Sequence, residues 1–184
     1  LFGDIHVSGT TAGTLQNIGV IDVDINGTGY FVGGLVGFAS SATIANSFAT
    51  GAVTGEVDVG GLAGDARYGT IADSFATGSV TGDRRVGGLI GYGEDAIITN
   101  SYATGSVSGV DEVGGLVGDG WYATISDSFA TGDVVGTADY VGGLIGYGED
   151  AIITNSYATG SVTAVDYVGG LAGYAWDAII TNSY

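Results

Sequence analysis

The sequence repeats itself with a period of about 27 residues, and this period limits the possible fold more than any other feature. The tetrapeptide VGGL occurs six times, and the spacing between successive copies is constant apart from a single insertion before the fifth. Its copies begin at Val32, Val59, Val86, Val113, Val141 and Val168. A second anchor, Asn or Asp followed by Ser and an aromatic residue, begins at Asn46, Asp73, Asn100, Asp127, Asn155 and Asn182. Units of this length bury a shared core by stacking on one another, so the period predicts a solenoid.

Three short runs in each unit have the composition of strands. In the first copy they lie around VGGLVG, ATIANSF and ATGAVTG, and no long segment shows helical periodicity. We therefore predict an all-β parallel β-solenoid, or β-helix, of about six 27-residue coils over residues 32–184, with equivalent positions about 4.8 Å apart. Residues 1–31 follow the pattern poorly and are expected to form an irregular N-terminal coil that caps the solenoid. Glycines at fixed positions are expected to allow corners and close packing of the sheets.

The composition excludes several classes of function. The chain has 20 acidic and three basic residues, and its formal net charge of −17 argues against nucleic-acid binding, which needs a basic face. A hydrophobic fraction of 45% separates it from disordered acidic tails. The absence of cysteine excludes disulfides and thiolate metal sites. No run of residues has the length and hydrophobicity of a membrane span.

The repeated motifs resemble a known family. VGGLVG, VGGLAG and VGGLIG, with the downstream NSFATGAVTG and NSYATGSV, are similar to the GLUG-motif repeats of bacterial and archaeal cell-surface proteins. The resemblance covers residues 32–184. It implies secretion and display at the cell surface, in adhesins or in accessory regions of large extracellular enzymes.

The pattern is already under way at Leu1 and is still under way at Tyr184. We expect either a fragment of a longer surface protein or a subunit whose open end stacks head to tail on the next copy, forming a homo-polymer. The predicted function is therefore that of an extracellular structural protein, a subunit of a surface filament or the stalk of an adhesin. The alternative is a ligand-binding solenoid that recognises a polysaccharide or an ice surface.

No residue combination indicates catalysis or a cofactor. His6 is the only histidine, no G-x-S-x-G motif accompanies it, and it is expected to be a surface or cap residue. Acidic residues recur with the repeat, so none forms a distinct pair of the kind that hydrolyses glycosides. We predict that the chain is not an enzyme.

Stacking in register makes the charge pattern readable as columns. One column runs Phe38, Asp65, Tyr92, Asp119, Tyr147 and Tyr174, with the acids kept apart by aromatic residues. A second sets Arg85 between Asp58 and Glu112, and a third sets Arg67 beside Glu94. Because like charges one strand apart repel, this alternation indicates a true unit of two coils.

Asp150 and Asp177 break the alternation, since the register makes them neighbours. Paired carboxylates on turns can bind Ca²⁺ when carbonyls and waters complete the six to eight oxygen ligands. We retain them as candidate Ca²⁺ ligands, with a solvated acidic edge as the simpler interpretation.

Three kinds of surface residue are candidates for contact with a ligand. The ATG tripeptides predict a ladder of hydroxyls led by Thr50, Thr77, Thr104, Thr131 and Thr159. The ladder of Phe48, Phe75, Tyr102, Phe129, Tyr157 and Tyr184 is expected to pack at an edge of the core, with a sugar-stacking groove as the alternative. Trp121 and Trp176 lie in predicted turns and are the expected contacts for a partner or glycan, and Asn26 lies in the only N-x-S/T glycosylation sequon.

Overall fold

The computed structural model describes residues 2–5 and 13–184, and it confirms a parallel β-solenoid. Strands and turns account for the described residues, which contain no helix. His6, expected at the surface or in the cap, lies outside the described residues.

The strands fall into an N-terminal coil and six further coils. The N-terminal coil holds β1 (Phe2–Ile5), β2 (Thr14–Gln16) and β3 (Gly19–Asn26). Coil 1 holds β4 (Tyr30–Gly33), β5 (Val36–Ala39), β6 (Thr43–Ala45) and β7 (Phe48–Thr54). Coil 2 holds β8 (Val57–Gly60), β9 (Ala63–Asp65), β10 (Thr70–Ala72), β11 (Phe75–Ala76) and β12 (Val80–Thr81). Coil 3 holds β13 (Arg84–Gly87), β14 (Ile90–Tyr92), β15 (Ile97–Thr99), β16 (Tyr102–Ala103) and β17 (Val107–Gly109).

The remaining three coils repeat this arrangement. Coil 4 holds β18 (Asp111–Gly114), β19 (Val117–Asp119), β20 (Thr124–Ser126), β21 (Phe129–Ala130) and β22 (Val134–Gly136). Coil 5 holds β23 (Val141–Gly142), β24 (Ile145–Tyr147), β25 (Ile152–Thr154), β26 (Tyr157–Ala158) and β27 (Val162–Thr163). Coil 6 holds β28 (Val168–Gly169), β29 (Ala172–Tyr174) and β30 (Ile179–Thr181).

Four parallel sheets run along the solenoid. The first joins β1-β5-β9-β14-β19-β24-β29, and the second joins β2-β6-β10-β15-β20-β25-β30. The third contains the ATG segments, in which β7 pairs with β3 on one side and with β11 and β12 on the other, and the fourth joins β28-β23-β18-β13-β8-β4. Ile71 pairs with Ile44 and Ile98, so the predicted register of one coil per sequence repeat is confirmed.

The VGGL segment does not form one strand, as the sequence suggested, but bends between the fourth and first sheets. In coil 2 the bend lies at Gly61 and Leu62, between β8 and β9. A Cβ on Gly61 would lie 2.2 Å from the carbonyl oxygen of Gly88 in the next coil. Glycine is therefore required here because the neighbouring backbone occupies the space of a side chain.

Non-glycine residues, rather than glycines, supply the left-handed positions of each coil. Gly51 is the one described glycine with a positive φ. Three columns of other residues have φ near +50°, and each column continues from coil to coil. They include Asp58, Arg85, Glu112, Tyr140 and Tyr167; Ser41, Tyr68, Asp95, Tyr122, Asp150 and Asp177; and the Asn/Asp anchor from Asn46 to Asn182. Asn and Asp adopt this conformation at lower cost than most residues, which accounts for the anchor.

Two apolar clusters run the length of the solenoid. The larger contains the leucine of each VGGL and the isoleucine column, and Leu89 and Ile98 are completely buried in it. The smaller is formed by valines of the third and fourth sheets, such as Val80 and Val86. Complete burial of such a side chain stabilises the fold by about 1.5–3 kcal/mol, and each coil repeats the contribution.

The N-terminal coil pairs with coil 1 but departs from the repeat. Leu15 pairs with Ile44, whereas Val32 pairs with Val59, so the first pair is two residues farther apart along the chain than the second. A β-bulge between Val20 and Val23 shifts the register of β3 on β7. The N-terminal coil therefore pairs in parallel like the other coils, but its strand register and spacing along the chain are irregular.

Candidate functional site

A ladder of buried serines joins neighbouring coils, and sequence reasoning did not identify it. The Ser47 backbone N–H donates to the Ser74 Oγ at 3.1 Å, and the Ser74 Oγ–H donates to the Ala72 carbonyl at 2.7 Å. The same pair of bonds recurs at each later coil, at Ser101, Ser128, Ser156 and Ser183. Each buried hydroxyl thus accepts from the preceding coil, so the serines form a directional chain of hydrogen bonds. The invariant middle letter of the Asn/Asp-Ser-aromatic anchor was the available signal.

The aromatic residues that follow the serines form a continuous stack. Successive ring centroids from Phe48 to Tyr184 lie 4.8–5.3 Å apart, with interplanar angles of 2–9°. The rings from Phe48 to Tyr157 are half-buried. This agrees with the expected packing at an edge of the core, where both faces of each inner ring contact the rings of the neighbouring coils.

All three arginines lie in one cluster on coils 2 to 4. Arg67 binds Asp65 of its own coil through Nε and Nη2, whereas the sequence suggested Glu94. Glu94 instead accepts hydrogen bonds from the hydroxyls of Tyr68 and Tyr92, at 2.9 and 3.0 Å. Asp65 lies two residues before Arg67, and its carboxylate accepts hydrogen bonds from both the backbone N–H and the guanidinium of Arg67.

Arg85 bridges coils as the columns predicted, but it binds only one of the two acids. Its Nη2 donates to the Asp58 Oδ2 at 3.1 Å, while Glu112 is bound by Arg84 through a contact of 2.9 Å. The guanidinium of Arg85 also lies over the Tyr92 ring, 4.5 Å from the centroid, in a cation–π contact.

Two carboxylates in this cluster resist ionisation. Burial raises the pKa of Asp58 to about 6, although its ion pair with Arg85 acts in the opposite direction. Burial, with a smaller effect from the Glu112 charge, raises the pKa of Asp119 to about 7. The Asp119 Oδ1 is shielded from solvent and has no hydrogen-bond partner among the described residues. The cluster therefore contains carboxyl groups that its arginines do not fully pair, and burial favours their neutral form.

Tyrosines replace the ions at the same positions in coils 5 and 6. Tyr140 stacks on Tyr167 with centroids 4.9 Å apart, and Tyr147 stacks on Tyr174 at the same separation. Tyr140 meets Tyr147 edge to face. The face of the solenoid formed by these columns is thus ionic in the middle and aromatic toward coil 6.

The predicted threonine ladder lies on the outside of the third sheet. Thr77, Thr104, Thr131 and Thr159 are exposed, and Thr50 is half-buried, with its Oγ1 accepting from the Asp22 N–H at 2.9 Å. The strands are interrupted at these positions in coils 2 to 5, between β11 and β12 and at the equivalent sites. The hydroxyls therefore follow a bend in the backbone rather than one flat strand.

The tryptophans of the turns are exposed. Trp121 is 38% and Trp176 57% exposed, and Trp121 stacks on Tyr122 with centroids 5.3 Å apart. The two tryptophans occupy the same column, with Glu149 between them. They form the largest exposed aromatic groups on the turns between the first and second sheets.

Asp150 and Asp177 occupy neighbouring left-handed turn positions, where the Asp150 N–H donates to the Trp176 carbonyl at 2.8 Å. Within residues 2–5 and 13–184, no group of three or more His, Cys, Asp or Glu side chains converges as a metal site would. Asn26 is exposed at the end of β3, and Thr28 of its sequon is also exposed.

Comparison with known proteins identifies a repeat motif in three of these coils. A sequence profile of the GLUG motif matches residues 28–54, 82–108 and 137–163. The chain carries GLUG repeats. The matched segments are alternate coils, coils 1, 3 and 5, in agreement with a two-coil unit. No curated protein matches the GLUG chain over its sequence.

The GLUG solenoid is similar to a solved structure. The crystal structure of a protein from Bacteroides ovatus, named as a "putative immunoglobulin A1 protease", superposes with a TM-score of 0.58 at 19% identity. The match covers 93% of this chain and 57% of that one, so this chain spans a little over half of its length. At this identity the likeness concerns the fold alone.

The described residues also include no helix of the length and hydrophobicity that a membrane crossing requires.

Proposed function

We propose that this GLUG solenoid is a structural element of an extracellular surface protein, a stiff spacer or stalk that grows by stacking coils in register. The observation that carries the proposal is the continuity of the ladders. Serine hydrogen bonds, stacked rings and completely buried leucines pass unchanged from coil to coil. Each coil adds about 4.8 Å of length without a new kind of contact.

The burial of the interior coils supports growth by stacking. Ile153 and Val141 of coil 5 are buried because the coils before and after them cover both sides. We propose that further coils, from a longer polypeptide or from another subunit, stack in the same way.

The proposal also covers where the protein is located and whether it is catalytic. We propose display outside the cell or on its surface, because GLUG repeats are typical of surface proteins and the high acidity favours a well-solvated surface. The proposed role is non-catalytic, since the buried carboxylates of Asp58 and Glu112 are each bound by an arginine of the neighbouring coil rather than placed together as an acid pair.

Electron microscopy of the native material, with and without a chelator, tests the proposal. Rods or filaments with an axial spacing of about 4.8 Å per coil are expected. Native material that shows neither rods nor filaments with this spacing would contradict it. Filaments that fall apart in chelator would indicate a structural metal, for which Asp150 and Asp177 are the candidate ligands.

A second candidate function is glycan binding at the exposed turn. It is favoured by the stacked, exposed rings of Trp121 and Tyr122, since sugars pack on such faces. A glycan array screened with the wild type and with Trp121→Ala tests it, and Ile152→Ala, which removes a comparably exposed aliphatic side chain, is the control. Binding that Trp121→Ala abolishes and Ile152→Ala retains would establish the site. Equal binding by both variants would exclude it.

A further inference from the structure

The turn between the first and second sheets alternates in chemistry from coil to coil. Each turn stacks directly on the next, because the N–H of its second central residue donates to the carbonyl of the first central residue in the following coil. These hydrogen bonds are 2.7–2.9 Å long between coils 2 and 5. In this order the central pairs are Arg67-Tyr68, Glu94-Asp95, Trp121-Tyr122 and Glu149-Asp150. Pairs with aromatic side chains and pairs of acids therefore alternate along the axis, and we call this column the turn ladder.

The aromatic side chains of the turn ladder are exposed. Tyr68 is 51%, Trp121 38% and Tyr122 46% exposed, and neither apolar cluster of the core includes them. Exposed apolar side chains that lie close together mark contact surfaces. Aromatic residues are also enriched among the side chains that dominate binding at protein interfaces. The rings therefore have the properties of a binding surface.

The backbone gives a second sign that these tyrosines serve a function. Tyr68 and Tyr122 have φ values of 58° and 57°, in the left-handed region. A bulky residue rarely adopts this conformation, whereas aspartate, which occupies the same position at Asp95, adopts it more readily. Folding alone would therefore favour Asp or Asn at all of these turns. Strained positions of this kind cluster at functional sites.

The acids of the turn ladder have no basic partner within residues 2–5 and 13–184. Each arginine of the chain binds another acid, in the pairs Arg67–Asp65, Arg84–Glu112 and Arg85–Asp58. Glu94 accepts hydrogen bonds from the hydroxyls of Tyr68 and Tyr92. Glu149 accepts one from the hydroxyl of Tyr147. These donors are neutral, so they leave the negative charge of both acidic turns without a counter-charge.

The spacing of the acidic turns identifies the kind of partner. They lie two coils apart, which is about 9.6 Å at about 4.8 Å per coil. A polyproline II helix has three residues per turn and rises about 3.1 Å per residue, so every third side chain faces the same way at intervals of about 9.3 Å. A peptide in this conformation along the solenoid axis would place one basic side chain at Glu94-Asp95 and another at Glu149-Asp150. Both would border the rings of Trp121 and Tyr122, whose faces attract cations.

We propose that the turn ladder binds a polyproline II peptide that carries arginine or lysine at every third position. Arginine fits best, because its guanidinium stacks on aromatic faces and binds carboxylates through two hydrogen bonds. The formal net charge of −17 attracts such a peptide and repels anionic partners. This inference goes beyond the proposed stalk role, since it assigns a ligand to the side of the solenoid, and it holds whether or not coils assemble end to end.

Two peptides of equal composition test the inference against simple charge attraction. The first, RPPRPPRPPRPP, has arginine at every third position, and the control, RPRPRPRPPPPP, has the same residues with arginine at every second position. Their affinities for the wild-type chain are measured by fluorescence anisotropy at about 0.15 M salt, where exposed charges farther apart than about 8 Å are largely screened. The first peptide is expected to bind at least about fivefold more tightly. Equal affinities, a preference for the control or no binding by either peptide would overturn the inference.

Two pairs of variants locate the binding on the turn ladder. Trp121→Ala should remove the preference for the first peptide, whereas Val135→Ala, at a comparably exposed position of the third sheet, should keep it. Glu149→Gln should weaken binding of the first peptide by about threefold relative to Asp127→Asn, which removes an equal charge from the exposed Asn/Asp anchor. Equal effects within either pair would overturn the inference. Circular dichroism checks that each variant is folded, and the comparison of the two peptides on the wild type needs no variant.

A neutral glycan separates this inference from the second candidate function. Glu149→Gln removes a charge that a neutral glycan does not need, so glycan binding through Trp121 should survive it. If the chain binds a neutral glycan through Trp121 and shows no preference between the peptides, the turn is a glycan site and this inference is wrong. The shape of the particles in the microscope bears on the stalk role alone, so the two proposals fail separately.

Discussion

Replacing Asp119 by asparagine tests whether a shielded carboxylate weakens the solenoid at neutral pH. Burial raises the pKa of Asp119 from 3.8 to about 7, so the folded protein binds this proton more tightly than the unfolded chain. The stabilising effect of the protonated form is complete below about pH 4 and is lost as the pH rises through 7. Stability should therefore fall between these values, which is the opposite of an acid in an ion pair.

The magnitude follows from the size of the pKa change. At about 1.4 kcal/mol per pH unit, a change from 3.8 to about 7 corresponds to at most about 4 kcal/mol. Part of the Asp119 side chain reaches solvent, and screening reduces the effect to about 2 kcal/mol. Asparagine has nearly the same shape as aspartate and carries no charge. Its side-chain oxygen can still accept the hydrogen bond from the backbone N–H of Trp121. Asp119→Asn should be more stable than the wild type by about 2 kcal/mol at pH 8, and the difference should vanish near pH 4.

Urea denaturation at pH 4 to 8.5 measures this, with agreement between circular dichroism and tyrosine fluorescence as the check on two-state unfolding. The exposed Asp127, which accepts from the Asn155 side chain at 3.2 Å, provides the control Asp127→Asn. Its effect should stay within about 0.5 kcal/mol at either pH. Parallel pH curves for Asp119→Asn and the wild type would refute the reasoning.

Three further predictions concern the ladders and turns. Gly88→Val should destabilise the fold by about 3 kcal/mol or more, because the new Cβ would lie 2.1 Å from the Gly115 carbonyl oxygen. Thr104→Ala, at the surface, should cost less than about 0.5 kcal/mol. Equal melting temperatures for the two variants would contradict stacking in register. Ser128→Ala removes the hydroxyl that accepts the buried backbone N–H of Ser101. It should cost about 1–3 kcal/mol and speed hydrogen exchange at the Ser101 amide. Unchanged exchange at Ser101 would show that the serine ladder is dispensable. Calorimetry should detect Ca²⁺ binding at Asp150 and Asp177 no tighter than about millimolar, because two carboxylates supply few of the required ligands, and micromolar binding that survives Asp177→Asn would show that the ligands lie elsewhere.

The sequence was sufficient to predict the period, the register and the stacked columns. A repeat of constant length forces equivalent residues into neighbouring strands, so the pairing of Tyr92 with Asp65 and Asp119 could be read directly. The ring stack followed for the same reason. The buried isoleucines and leucines follow from hydrophobicity at fixed positions.

Other features depend on three-dimensional geometry that the residue types alone do not determine. The left-handed conformation at Arg85 and Tyr140 has no propensity signal, since these residue types rarely adopt it and the surrounding coils impose it. The preference of Arg67 for Asp65 over Glu94 depends on the turn after the strand, in which the Asp65 carboxylate also accepts the Arg67 backbone N–H. The serine ladder was missed because a sequence does not distinguish a buried serine that accepts a backbone hydrogen bond from a serine exposed to solvent.

The even spacing of the coils also determines how the molecule would respond to a pulling force. In the folded state each coil contributes about 4.8 Å along the axis, while the same stretch of chain, once extended, spans about 90 Å. A coil at the end of the stack contacts only one neighbour, so it would detach before the interior coils do. Tension along the chain should therefore lengthen the protein in steps, one coil at a time, and each coil should rewind when the load is released.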